Sequence, residues 1–128
     1  MPTVALLDRF IHNLTASPET IRAENLRLWA ESVPGTIRIA EVEARSRSKV
    51  AGVIQNIRID PREGSGSIEA TIIDGTGQLV TKWLGRSSMQ GIRLGMGLIV
   101  EGVGGIGTDG DLQFLNPEYT LVPGPEHG

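Results

Sequence analysis

The sequence predicts a mainly β protein, a small closed barrel of five short strands with a helical hairpin ahead of it. Three observations carry that prediction. Between Ile68 and Arg86, two runs rich in β-branched residues flank Asp74-Gly75-Thr76-Gly77. That tetrapeptide has two glycines able to take φ > 0 and an aspartate able to close its own turn, so the stretch reads as a β-hairpin. Three further β-rich runs, Lys49 to Ile59, Leu98 to Val103 and Leu112 to Leu115, bring the count to five strands in about 75 residues. One longer connection separates the third strand from the fourth, the spacing of a barrel rather than of an open sheet. Finally, Val4, Leu7, Ile11 and Leu14 recur at steps of three and four with polar residues between them, the pattern of an amphipathic helix.

Taken in order, Ser17-Pro18-Glu19-Thr20 is a helix start, with Ser17 as N-cap, Pro18 at the first helical position and an acid in the first turn. This second helix should run to about Glu31 and stop before Val33-Pro34-Gly35, where proline and glycine end helices. Residues 1–35 then form a helical hairpin too short to stand alone, which must pack on the barrel or on a second copy, giving a homo-oligomer through residues 3–31. Thr36 to Glu43 is a transition with some strand alternation. The barrel occupies 36–122. Its first strand, about 48–59, should bend at Gly52, and Asp60 to Gly66 is a polar connection. In the second strand Ile68, Ala70 and Ile72 face inward. The third leaves two parities, Leu79, Thr81 and Trp83 against Val80, Lys82 and Leu84. Gly85 to Gly97 should hold a helical turn near Ser88 to Ile92. After the fifth strand, extended pattern resumes through Val122, and residues 123–128 read as a disordered tail.

At 128 residues the chain is one domain. It has no cysteine, hence no disulfide and no thiolate chemistry, which fits a reducing cytoplasm. No apolar run reaches the ~20 residues of a membrane span. The net charge of −3 conceals a division. Residues 45–93 hold eight basic side chains against four acidic ones, while residues 94–128 hold five acidic and no basic ones. Screening confines each charge to about 8–10 Å, so local patches decide where a polyanion docks.

Several motif echoes carry no chemistry. Gly105-x-Gly107-x-x-Gly110 joins two strands and opens no helix, unlike a dinucleotide fingerprint. Ser46-x-x-Lys49 lacks the rest of a β-lactamase set. His12 and His127 are isolated, so no metal site or catalytic triad can be assembled. The expectation is a non-enzymatic protein without cofactor.

Asp74-Gly75-Thr76-Gly77, Trp83, Gly95-x-Gly97-x-Ile99-x-Glu101-Gly102 and Asn116-Pro117-Glu118-Tyr119 resemble the OB-fold of the nucleic-acid-binding, tRNA anticodon-like class. They look most like the wedge domain of the DNA helicase RecG, without its motor motifs. The helical hairpin and the Trp83-Leu84-Gly85-Arg86 ending resemble small stand-alone actinobacterial OB proteins. The resemblance covers residues 45–122 and implies a five-stranded Greek-key barrel. It also implies single-stranded DNA or RNA, or a nucleic-acid junction, lying across strands two and three. Lys82, Arg86, Arg58 and Arg62 are the first candidates for phosphate contacts. Arg47, Lys49 and Arg93 follow, with Arg45 alternating on the same stretch. Trp83 is either a stacking platform or a barrel plug. Asp109 and Asp111 put acid where the fourth-to-fifth loop would border the groove. An alternative from another class is a protein-interaction adaptor on a barrel that no longer binds nucleic acid.

Overall fold

The structure, a computed structural model, describes residues 17–62 and 65–125. Helix α1 spans Pro18–Glu31. Its start follows the residues expected: the Ser17 hydroxyl accepts from the Thr20 amide at 3.2 Å and Pro18 occupies the first turn. The first helix of the expected hairpin lies outside the described residues. A short 3-10 turn at Ile39–Glu41 replaces the strand alternation expected there.

Six strands follow: β1 Arg47–Asp60, β2 Ser67–Ile73, β3 Gln78–Leu84, β4 Gly97–Ile106, β5 Leu112–Leu115 and β6 Glu118–Val122. They run β1-β2-β3-β5-β4 around a ring that a β1–β4 pairing closes. Every neighbouring pair is antiparallel except β3–β5. Closure removes the free edges that an open sheet would present.

β1 makes the closure possible by serving two partners. Arg47 to Val53 pairs with β4, and Val53 to Asp60 pairs with β2. The changeover follows Gly52, where a Cβ would sit 2.9 Å from the Ile72 Cβ. The expected bend is present, and a bulge between Ile54 and Asn56 completes it. The expected fifth strand, Leu112 to Leu115, is β5, and the extended pattern expected to resume after it forms a sixth strand, β6. Asn116 takes φ 49° and Pro117 lacks a ladder donor, so pairing breaks there. β6 then resumes along the first half of β4. No helix forms in the β3–β4 connection, which holds turns only.

The core alternates as the sequence implies in β2, and of the two parities left open in β3 it takes the one that turns Leu79 inward. Ile68, Ala70 and Ile72 of β2 are buried, with Leu79, Thr81 and Trp83 of β3, Leu98 and Val100 of β4, and Phe114 of β5. α1 closes one end with Leu26 and Ala30. The Trp29 ring lies against Gly97, where a Cβ would come within 2.7 Å of it. Gly75, at φ 84°, turns its bare Cα toward the Ala23 carbonyl of α1, so only glycine fits both the turn and the helix contact.

Asp74 ties these parts together. Its side chain is 1% exposed. One carboxylate oxygen accepts from the Ile39 amide at 2.9 Å. The other accepts from the Thr76 amide at 2.8 Å, the Thr76 hydroxyl at 2.7 Å and the Gly77 amide at 3.1 Å. The turn aspartate therefore also clamps the 3-10 segment onto the barrel.

Candidate nucleic-acid interface

The outer face of β1–β2–β3 is laid out by register. Arg58 stands opposite Glu69 and Glu69 opposite Lys82, with Leu115 next across β5. The neighbouring row runs Asn56, Thr71, Val80 and Gln113. The bulge aims Arg58: unbroken alternation from Val50 and Ile54 would point Asn56 and Arg58 inward, and the extra residue restores them to the outside. Apart from Leu115 these side chains, with Gln78 and with Gly107, Thr108, Asp109 and Asp111 of the β4–β5 loop, line a groove of about 230 Å³. A second hollow of about 160 Å³, lined by Arg58, Ile59, Asp60, Ser67, Glu69 and Lys82, lies on the same strands.

The electrostatics differ from the basic wall expected from charge counting. Lys82 Nζ lies 3.4 Å from a Glu69 oxygen, and Arg58 Nη1 lies 3.8 Å from the other. Arg62 holds Asp60 through its side chain at 2.7 Å. That hydrogen bond, supported by the Arg62 backbone amide, keeps the Asp60 carboxyl below its usual range. The preference for the charged form persists above the ordinary carboxylate value and disappears as pH falls through the lowered one, so the pair opens only in acid. Asp109 and Asp111 border the groove as well. Its lining thus carries Arg58 and Lys82 against Glu69, Asp109 and Asp111.

The remaining candidates are dispersed. Arg47 lies on the β1–β4 half, where its Nε donates to Glu101 at 2.8 Å and its Nη2 to Glu118 at 3.4 Å. Glu101 and Glu118 face each other across β4 and β6, so Arg47 relieves a like-charge pair, and the bond to Glu101 raises its pKa. Arg45 does not continue the alternation; it sits at φ 68° in a turn before β1. Lys49, Arg86 and Arg93 are exposed and have no ion pair among the described residues. Arg86 adjoins Leu84, Asn116 and Tyr119 in an open recess.

Trp83 is the barrel plug, which corrects its candidacy as a stacking platform. It is 3% exposed, its indole N–H donates to the Pro117 carbonyl at 3.0 Å, and its ring meets Tyr119 edge-on at 5.3 Å. Trp83→Phe should cost about 1 kcal/mol of stability by losing that bond, measured by urea unfolding, while leaving any nucleic-acid affinity unchanged.

Gln78, Gln113 and Asn56 were not singled out from sequence. Outward parity in β3 would have suggested Gln78, whereas Gln113 and Asn56 depend on the parallel β3–β5 pairing and on the bulge. Among the described residues no group of three or more His, Asp or Glu side chains converges to hold a metal ion. No helix among them is long and apolar enough to cross a membrane.

No protein-family model matches the chain, and no curated protein matches it in sequence. In backbone it is similar to RecG in a structure of RecG bound to a three-way DNA junction, with TM-score 0.59 and 17% identity over 70% of this chain. The chain spans only 13% of the length of that protein. It is also similar to a replication protein A heterotrimer bound to single-stranded DNA, with TM-score 0.48 and 18% identity, covering 77% of this chain and 75% of that one. The likeness to RecG expected from the residues is present in the backbone, and with the β1-β2-β3-β5-β4 ring it identifies the barrel as an OB-fold.

Proposed function

We propose that this chain is a non-enzymatic nucleic-acid-binding protein that takes single-stranded or junction DNA or RNA across the outer face of β1–β2–β3. The observation that supports this reading best is the groove itself. It crosses three strands, is bordered by the β4–β5 loop, and offers Asn56, Thr71, Gln78 and Gln113 as hydrogen-bonding groups. Glu69 lies between the two cations within it and turns phosphate away from the middle of the groove, so bases face the sheet there and the cations are left for the backbone at its sides. Phosphates follow the rim, at Lys82, which is 31% exposed on its side chain, and at the exposed Arg86. Leu84 and Leu115, each 51% exposed, supply apolar surface on either side of Lys82.

Fluorescence anisotropy with labelled single strands, duplexes and forks at two salt concentrations tests the reading. With Lys82, Arg86 and Arg58 as phosphate contacts, the slope of log affinity against log salt should be about −2, from roughly −0.7 per phosphate on a single strand. Joint charge reversal, Lys82→Glu with Arg86→Glu, should weaken binding about tenfold or more at low salt. Unchanged affinity would remove this face from consideration.

A second reading, a protein-interaction adaptor, draws on the pairing of Arg58, Arg62 and Lys82 with the chain's own carboxylates and on Ile21 and Leu28 of α1, 36% and 58% exposed. Light scattering on the full chain tests its homo-oligomeric form. A monomer across the micromolar range excludes self-association there.

A further inference from the structure

Glu69 stands at the centre of the groove, between Arg58 and Lys82 on the same register row. Its side chain is 23% exposed. Lys82 Nζ and Arg58 Nη1 approach it at 3.4 and 3.8 Å, near enough for charge attraction, yet neither makes a hydrogen bond to it. No other donor among the described residues does so. By contrast the buried Asp74 carboxylate accepts four hydrogen bonds within the chain, whereas Glu69 lines both hollows of the groove face. Glu69 therefore has acceptor capacity directed into the groove.

An ionised carboxylate only accepts. Among the four common bases, only guanine presents two adjacent donors on its pairing edge, the ring N1–H and the exocyclic amine. Adenine, cytosine and thymine or uracil each place a ring or carbonyl acceptor beside their donor, so one carboxylate oxygen would meet a like partial charge. We propose that Glu69 is a specificity-determining residue that selects guanine in a single strand lying in this groove. The proposal rests on the nucleic-acid reading given above. The same carboxylate rejects a phosphate at this point, because it holds the place between the two cations that a phosphate would need. Arg58 and Lys82 flank the carboxylate and meet the backbone on either side once the base has docked.

The test is anisotropy with two labelled twelve-residue DNA strands in lithium buffer, which suppresses guanine quadruplexes: all thymine, and thymine with guanines at alternate positions. The wild-type protein should bind the guanine-containing strand about tenfold more tightly, in keeping with a bidentate base contact. Glu69→Gln, which replaces one acceptor with a donor, should abolish that preference. It should also raise affinity for the all-thymine strand, because no carboxylate charge then stands between Arg58 and Lys82 to repel the backbone. Equal affinity of the wild-type protein for both strands overturns the assignment whatever the variant does, and so does a guanine preference that survives in Glu69→Gln. Binding of neither strand by either protein at low salt overturns the nucleic-acid reading itself.

Discussion

Asp74→Ala is expected to lower the unfolding free energy by about 3–5 kcal/mol, read from urea denaturation monitored by tryptophan fluorescence. The carboxylate is 1% exposed and gathers the amides of Ile39, Thr76 and Gly77 with the Thr76 hydroxyl. Hydrogen bonds to a charged group contribute roughly 1.5–3 kcal/mol each, and buried donors left without a partner add their desolvation cost. The change reaches beyond the hairpin. Ile39, itself 2% exposed, is held against the barrel through this aspartate, and the Thr76 hydroxyl also accepts from the Ala40 amide at 3.2 Å. Amide exchange in residues 36–42 should therefore accelerate along with that of the turn. Asp109→Ala, in an exposed loop, is the control and should stay within about 0.5 kcal/mol. A comparably small effect at Asp74 would mean that the clamp contributes little.

Phe114→Ala is the second large effect, about 3–5 kcal/mol. Phe114 is fully buried on the shortest strand, where three register pairs to β3 and three to β4 close the barrel. Its ring lies over Gly102, where a Cβ would be 3.3 Å away. Truncation leaves a cavity at the seam, beside the parallel β3–β5 pairing, which the glycines facing the ring cannot fill. Gln113 and Leu115 flank Phe114 on the outer face, so the same substitution should loosen the groove. At a temperature where the variant remains folded, exchange of β5 amides should rise more than that of β1 and β2. Uniform acceleration across all strands would argue that the seam is not a weak point of its own.

Much of the architecture was legible in the residues because the signals are local. A Ser-Pro-Glu start makes a helix, Asp-Gly-Thr-Gly makes a turn, and alternation in Ile68 to Ile72 makes a half-buried strand. The break after Leu115 was legible, but not its form, in which Asn116 reaches φ 49° while its side chain accepts from the Leu84 amide at 2.9 Å. The site was least legible. Clustering of basic residues between 45 and 93 said nothing of which carboxylates the fold would bring to them. Glu101 is 54 positions from Arg47 and Glu118 is 71, yet both bind it. Glu69 reaches Arg58 and Lys82 only through the registers on either side of β2.

The sequence by itself determined the strand-rich barrel, the capped helix and the hairpin turn, because propensity, capping and two-residue periodicity act within a few neighbours. Only the tertiary structure decided which charges remain available. Side-chain partners across a sheet are set by register, and a single bulge at Ile54–Asn56 reverses which residues of β1 face outward. That long-range geometry sent Trp83 to the core, spread the cations over different parts of the surface, and placed Glu69 between Arg58 and Lys82.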